Sequence, residues 1–341
     1  MKKKLLIATS IMTGLLVIIA AGAFLLYNYL NLSTTTEKNI YIYPGATTET
    51  VTDSISAAFG EEVAAHAKTV LEYLEPDWSK RVGMYKIANG TNVWRLAKRL
   101  EIGSQTPVRF TFNSVRTVEQ LAERVGEKFL ISKDDFLKEV LSDSTYQKTG
   151  TNRETVGAIF FPDTYDFYWT ASAKSIVDRF YSYYKSFWND ERKAKAEKLG
   201  LSPLQVSTLA SIVEEETNNR AERSVVARLY LNRIHKGMLL QADPTVKFAL
   251  GDFARRRITS ADLEINSPYN TYKFAGLPPG PIRLPEKATI DAALDSKPNN
   301  YLYMCAKWDF SGKHLFTASY GEHLNNARRY HAALNARGIK R

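Results

Sequence analysis

The N-terminus carries a long apolar run that decides where the rest of the chain can fold. Leu5 to Leu26 contains no charged residue over 22 positions, and Lys2 to Lys4 precede it. A helix of this length can cross a bilayer, and positively charged residues stay on the cytoplasmic side. We therefore predict a single-pass membrane helix at residues 1–30, with its N-terminus in the cytoplasm and the remainder of the chain outside the cytoplasm.

A cleavable signal peptide is the alternative interpretation of this segment. Ala21-Gly22-Ala23 resembles a signal-peptidase site, but it lies inside the apolar run, and Phe24 to Leu26 still follow it. A retained anchor is therefore favoured over a cleaved signal.

The net charge of the chain indicates which kinds of partner an exported protein of this composition could bind. The net charge of +10 stays positive when Lys2 to Lys4 are set aside, and the basic residues are spread along the sequence rather than clustered. Phospholipid head groups or an acidic wall polymer suit such a charge, whereas nucleic acid is a poor fit for an exported protein. Cys305 is the single cysteine, so no internal disulfide can form and stability must come from burial.

Changes in pattern along the chain predict an α+β protein with several parts. Polar residues dominate between 142 and 154, which indicates a boundary there. Between 83 and 142 the order strand, capped helix, strand and capped helix indicates a compact module of ligand-binding size. The predicted parts are the anchor at 1–30, a linker at 31–39, a small α+β unit at 40–82, this module at 83–142 and a further domain at 155–341.

Three consecutive carboxylates, Glu214 to Glu216, close an otherwise apolar helix pattern that begins at Ser202. Ser202, Pro203 and Gln205 form an S-x-x-Q capping box with proline at the first helical position. At about 100° per residue, Glu216 falls about 20° from Leu209, inside the apolar stripe, while its two neighbours fall more than about 100° away. We therefore expect Glu216 to point inward and the other two to lie on the surface.

An inward carboxyl has a chemical consequence. Burial disfavours the anion, so the pKa of Glu216 should rise and the group should stay protonated nearer to neutral pH, as a general acid requires. The structural alternative is a helix that frays at Glu216 and leaves the side chain in water.

The aromatic segment and the loops around this helix have different uses. Ala158 to Trp169 contains six aromatic residues, which we interpret as core rather than as a sugar-stacking surface. The segments 241–245, 266–272 and 276–282 combine proline and glycine with Asn, Gln and Tyr. Such loops are rigid and offer neutral hydrogen bonds to a polyhydroxylated or amide-bearing substrate.

Several motifs together resemble the YceG-like endolytic murein transglycosylase family. IVEEET, NRIHKGMLLQADPTV, SPYNTY and GLPPGPI follow FFPDTY in this order, and with the N-terminal helix the resemblance covers nearly the whole chain. It implies a LysM-like module at 83–142 and a mixed α+β catalytic domain that cuts nascent peptidoglycan strands near the inner membrane. It also implies partnership with cell-wall synthases, the penicillin-binding proteins.

The resemblance places a catalytic glutamate on Glu216, the residue that the helix phase selects independently. The family motifs further imply a cleft lined by Thr217, Gln241, Asp243, Asn266, Tyr269, Asn270 and Tyr272. Three positions depart from the usual pattern, namely Val156, Glu215 and Lys247. None of them alters Glu216-Thr217, so these departures bear on subsites and local electrostatics rather than on activity.

The expected reaction uses one carboxylate as acid and then as base, closing a 1,6-anhydro ring on the muramoyl residue. A muramidase-type hydrolase is an alternative, because it needs a second carboxylate, and Asp163, Asp243 and Glu322 are available. A peptidoglycan-binding scaffold without catalysis is another. The five histidines show no metal-binding spacing and no phosphate loop follows a strand, so we expect neither metal nor cofactor. His314 and His323 are expected to be structural, although either could border the cleft.

Overall fold

The fold is a mostly helical α+β arrangement, seen in a computed structural model that describes residues 2–255 and 257–338. The predicted α+β class is therefore confirmed, although the sheets are small. The helices are α1 (Lys2–Asn31), α2 (Thr48–Phe59), α3 (Glu61–Leu74), α4 (Val93–Ile102), α5 (Val118–Lys128), α6 (Lys133–Val140), α7 (Asp143–Thr149), α8 (Ala173–Phe187), α9 (Asp190–Lys198), α10 (Pro203–Glu216), α11 (Arg223–His235), α12 (Asp243–Leu250), α13 (Lys287–Leu294) and α14 (Tyr320–Ala336). The strands are β1 (Lys38–Ile42), β2 (Gly83–Ile87), β3 (Val108–Thr111), β4 (Thr164–Phe167), β5 (Tyr303–Ala306) and β6 (His314–Thr317), paired as β1 with β2, β3 with β4, and β5 with β6.

The chain divides into two compact units. The first comprises Met1–Phe110 and Asp166–Ala171, and the second comprises Thr111–Tyr165 and Ser172–Arg341. The polar segment at 142–154, where the sequence predicts a boundary, contains α7, with Ser142 as its N-cap. The domain limits drawn from the sequence, and the LysM-like module within them, stay predictions; residues 1 and 339–341 of the outermost parts lie outside the described residues.

The first unit is built on a small antiparallel sheet covered by helices. Ile40 pairs with Tyr85 across β1 and β2, and alternate residues of these strands turn inward, as a half-buried sheet requires. The apolar faces of α2, α3 and α4 complete one buried cluster, in which Ile55, Leu71 and Leu96 are fully enclosed.

The apolar helix α1 belongs to this first unit. Thr9–Asn31 has a mean hydropathy of 2.2 and is long and apolar enough to cross a membrane. Its end is fastened to the core, because the Tyr29 ring stacks on His66 at 3.8 Å and the Tyr29 hydroxyl donates to Thr69. Residues 32–34 then bond to the turn before α4: the amide of Val93 donates to the Leu32 carbonyl over 2.8 Å, and that of Gly90 donates to Thr34 over 2.8 Å.

The second unit is organised around α10. This helix packs against α9, α11, α12 and α13, and every residue from Val206 to Glu214 is buried. Such a helix is surrounded on all sides rather than amphipathic. The aromatic segment supplies core as predicted, since Phe160 and Phe161 are buried and pack against Phe180 and Phe187 of α8.

Candidate active site

The helix that carries the three carboxylates begins as its sequence predicts. The backbone amide of Gln205 donates to the Ser202 hydroxyl over 3.3 Å, and the Gln205 side chain accepts from the Ser202 amide over 2.8 Å. Pro203 occupies the first turn, and the helix ends at Glu216 with Thr217 as C-cap. The last turn of α10 therefore presents Glu214, Glu215 and Glu216 in three directions.

Glu214 is buried, so the prediction that it lies on the surface is wrong. Its side chain is 2 % exposed, and its Oε1 lies 3.0 Å from Nε of Arg283. Its Oε2 accepts from the Glu286 amide and the Thr289 hydroxyl, each over 2.9 Å. The error arose because helical phase separates an inner from an outer face only when one side meets water, and α10 has no such side.

Glu215 also forms salt bridges instead of lying free in solvent as predicted. Its oxygens accept from Arg116 and from Arg283, each over 2.9 Å, and its side chain is 14 % exposed. Arg283 therefore lies between the carboxylates of Glu214 and Glu215. Since these arginines neutralise the two negative charges, the causes of the raised pKa of Glu216 lie elsewhere in its surroundings.

Glu216 lines a cleft, and the pKa of its carboxyl is raised toward neutral pH. Burial raises its pKa to about 7, and the negative charge of Asp243 acts in the same direction. The Tyr230 hydroxyl donates to its Oε1 over 2.8 Å and opposes this rise, as do the charges of His314 and Arg233. Such a group is protonated for part of the time at pH 7 and can both give and take a proton.

The cleft has a volume of about 420 Å³ and is mostly polar. Helices α10, α11 and α12, strands β5 and β6, helix α14 and the loops at 241 and 272 contribute its walls. The lining residues are Glu216, Leu229, Tyr230, Arg233, Leu240, Gln241, Asp243, Tyr272, Met304, Cys305, Ala306, His314, Ala327, Tyr330 and His331.

Three of the residues predicted around Glu216 lie with it in this cleft, namely Gln241, Asp243 and Tyr272. The Tyr272 hydroxyl donates to Oδ1 of Asp243 over 2.5 Å. Gln241 has a left-handed backbone with φ of 52°, a conformation that costs free energy in a residue with a side chain and recurs at functional sites. A hydrogen bond stabilises this backbone conformation, because the Gln241 amide donates to the carbonyl of Thr271 over 3.0 Å.

The other predicted residues lie outside the lining of this cleft. Thr217 is buried and accepts from the Asn219 amide. Asn270 is fully buried, and its amide group donates to the carbonyls of Leu263 and Ile265 over 2.8 and 2.9 Å. Tyr269 lines a separate cavity with Phe248, and Asn266 is exposed. Asn270 therefore stabilises the loop that carries Tyr272 and supports the site without lining the cleft.

Sequence reasoning did not single out Tyr230 and Arg233, which both come from α11. Arg233 is 8 % exposed and donates to the carbonyls of Leu302, Leu239 and Leu240 over 2.7, 3.2 and 2.8 Å. This helix is buried on most sides, so its sequence pattern does not reveal which residues face the cleft. Within residues 2–255 and 257–338, no group of three or more His, Cys, Asp or Glu side chains is placed to hold a metal ion.

Comparison with known proteins identifies relatives over most of the chain. Residues 40–329 match the model of the YceG-like family. The chain is 29 % identical over 276 residues to an endolytic murein transglycosylase of Bacillus subtilis (strain 168), covering 75 % of this chain and 74 % of that protein. A Streptococcus pneumoniae protein of the same name is 26 % identical over 259 residues, which cover 66 % of this chain and 46 % of that longer protein.

A solved structure has a similar fold. It is the crystal structure of a yceG-like protein from Listeria monocytogenes, with a TM-score of 0.58 and 27 % sequence identity. The similarity covers 86 % of this chain and 99 % of the other. Sequence and fold comparisons therefore agree on the same group of proteins.

Proposed function

The chain belongs to the YceG-like family, and from this premise we propose that it is an endolytic peptidoglycan lytic transglycosylase with Glu216 as its catalytic residue. The observation that carries the proposal is the position of Glu216, a carboxyl whose burial raises its pKa to about 7, in the lining of a polar cleft. The names of the Bacillus and Streptococcus relatives support the substrate class.

The first step of the proposed reaction is proton donation. Protonated Glu216 gives its proton to the oxygen that bridges MurNAc C1 and the next GlcNAc, and the C1–O bond breaks as an oxocarbenium-like centre develops. The hydrogen bond from Tyr230 to Oε1 then stabilises the carboxylate that remains. Burial favours the protonated form of Glu216, and the hydrogen bond from Tyr230 lowers the free-energy cost of losing that proton.

The second step closes a ring within the same sugar. The 6-hydroxyl oxygen of MurNAc attacks C1 and gives up its proton to a base, leaving a 1,6-anhydro end. The ionised Glu216 is one acceptor for that proton, so a single carboxylate can act as acid and then as base. No water enters the product, which separates this reaction from hydrolysis.

A muramidase-type hydrolase is the second candidate, because Asp243 lines the same cleft as Glu216 and influences its ionisation. A carboxylate in this position resembles the second acid of glycoside hydrolases. The hydrogen bond from Tyr272 engages one oxygen of Asp243, which favours a charge-tuning role over activation of water.

Product analysis separates these functions. The full-length protein in detergent is incubated with purified peptidoglycan, and the fragments are analysed by mass spectrometry. We expect 1,6-anhydro ends that disappear in Glu216→Gln and persist in Glu127→Gln, a matched change at an exposed position of α5. Reducing ends instead would indicate a hydrolase, and bound peptidoglycan without products would indicate a scaffold.

The location of the reaction follows from α1. We propose that this helix is retained as an inner-membrane anchor with the catalytic unit in the periplasm, where it cuts nascent strands and so terminates their elongation. A LysM-like module would hold the glycan, and cell-wall synthases would supply it. In cells, a form in which α1 is replaced by a cleaved signal should lose its preference for newly made strands; equal cutting of mature wall by both forms would contradict the anchor's role.

A further inference from the structure

A histidine and a carboxylate form a second pair at the edge of the cleft. Glu222 ends a short 3-10 helix before α11, and His314 begins β6. Oε1 of Glu222 accepts from the backbone amide of His314 over 3.1 Å, and Oε2 lies 3.0 Å from Nδ1 of its ring. The two side chains are 13 % and 18 % exposed. One carboxylate thus fixes both the backbone and the ring of His314.

This arrangement sets the tautomer of the ring. A carboxylate accepts hydrogen bonds, so Nδ1 of His314 carries the proton and Nε2 of the neutral ring keeps a lone pair. Within residues 2–255 and 257–338 no protein group bonds to Nε2, and His314 lines the cleft that holds Glu216. A free basic nitrogen therefore borders the space that the substrate would occupy.

The cleft that contains His314 holds ionisable groups of both signs. Besides Glu222, the ionisable groups that share its cleft come from α10, α11, α12, α14, β5 and the loop at 272. They are Glu216, Tyr230, Arg233, Asp243, Tyr272, Cys305, Tyr330 and His331. Glu216 and Asp243 are carboxylates, whereas Arg233 is a buried cation bonded to backbone carbonyls. The cleft therefore contains a carboxylate, Glu216, to which His314 can return a proton.

We propose that His314 is the general base that takes the proton from the MurNAc 6-hydroxyl, and that Glu222 is the positioning residue that holds it. This rests on the proposed transglycosylase function and deepens it. A hydroxyl, an imidazole and an orienting carboxylate form the arrangement that activates oxygen nucleophiles in other enzymes. Here the hydroxyl belongs to the substrate.

The step balances without a further reactant. Glu216 gives its proton to the leaving oxygen as the C1–O bond breaks, and the 6-oxygen bonds to C1 as its proton passes to Nε2 of His314. The enzyme is then left with a carboxylate and an imidazolium in one cleft. Return of the proton from His314 to Glu216 restores both groups for the next turnover.

His314→Asn is the most informative variant, because the asparagine amide can still donate to Glu222 in the place of Nδ1 but offers no basic nitrogen at the position of Nε2. We expect kcat for anhydro-product formation to fall about 100-fold, the usual contribution of a general base, with KM nearly unchanged. His235→Gln, at an exposed position at the end of α11, is the matched control and should keep full activity.

Two further measurements separate catalysis from a structural role. The rate of His314→Ala should rise with added imidazole, which a purely structural role of His314 would not produce. Glu222→Gln should reduce kcat about 10-fold, since removing the charge of an orienting carboxylate weakens the base. Thermal melting of each variant checks that the fold is intact.

The outcomes distinguish this proposal from the one on which it rests. A wild-type protein that yields no anhydro ends overturns the transglycosylase function itself. Anhydro ends that require Glu216 but persist at an unchanged rate in a folded His314→Asn variant overturn only the role of His314. The same conclusion follows when imidazole fails to restore His314→Ala.

Discussion

Replacement of Glu216 by glutamine should stabilise the protein in alkaline solution and leave its stability nearly unchanged in acid. Its pKa is raised from 4.5 to about 7, so the folded state binds a proton that the unfolded state has lost between these values. The stability associated with this proton is complete below pH 4.5 and disappears as the pH rises through 7. The difference of about 2.5 units corresponds to about 3 kcal/mol.

Glutamine carries no charge at any pH and can still accept the hydrogen bond from Tyr230. The unfolding free energy of Glu216→Gln should therefore exceed that of the wild type by about 3 kcal/mol at pH 8.5 and by nearly zero at pH 4.5. Urea unfolding of both full-length proteins in the same detergent, followed by tryptophan fluorescence, measures the difference. Glu127→Gln, at an exposed position, should show no such pH dependence. An equal effect of Glu216→Gln at both pH values would refute the raised pKa.

Three further substitutions test the surroundings of this residue. Tyr230→Phe removes the hydrogen bond that lowers the pKa of Glu216, so the alkaline limb of the activity profile should move up by about one pH unit; an unmoved limb would contradict the assignment. Arg283→Met leaves Glu214 buried without its counter-ion, so urea titrations should show an unfolding free energy lower by about 3–5 kcal/mol. Adding Glu214→Gln to this variant removes the unpaired charge and should restore part of the loss. Gly280→Ala would place a methyl group 1.9 Å from a backbone carbonyl oxygen, and calorimetry should show a loss of about 3 kcal/mol, whereas wild-type stability would mean that the loop yields freely.

Local sequence signals predicted those elements whose causes are local. The capping box at Ser202 and Gln205 satisfies the first amides of α10 with residues three positions apart, and no distant contact is needed to recognise it. The strand Gly83–Ile87 and the helix that begins at Val93 were predicted for the same reason. Their turn and cap residues lie next to the elements they define.

The site was only partly predictable, because its partners meet through the fold. Helical phase and family motif both selected Glu216. The same phase placed Glu214 on the surface, whereas its side chain is buried and pairs with Arg283. The contact of Glu222 with His314 joins residues 92 positions apart. No periodicity within either segment reports such a pairing, so only the three-dimensional structure reveals it.

The hydrogen bonds that join residues 32–34 to the turn before α4 have a mechanical consequence. These bonds and the Tyr29 contacts fasten the end of α1 to the core of the first unit, so if α1 is retained in a bilayer as proposed, its tilt turns that core through the same angle. The tilt of a membrane helix responds to the difference between its apolar length and the local hydrocarbon thickness. A thicker or thinner membrane would thus reorient the first unit without altering its fold, which makes lipid composition a control on its direction.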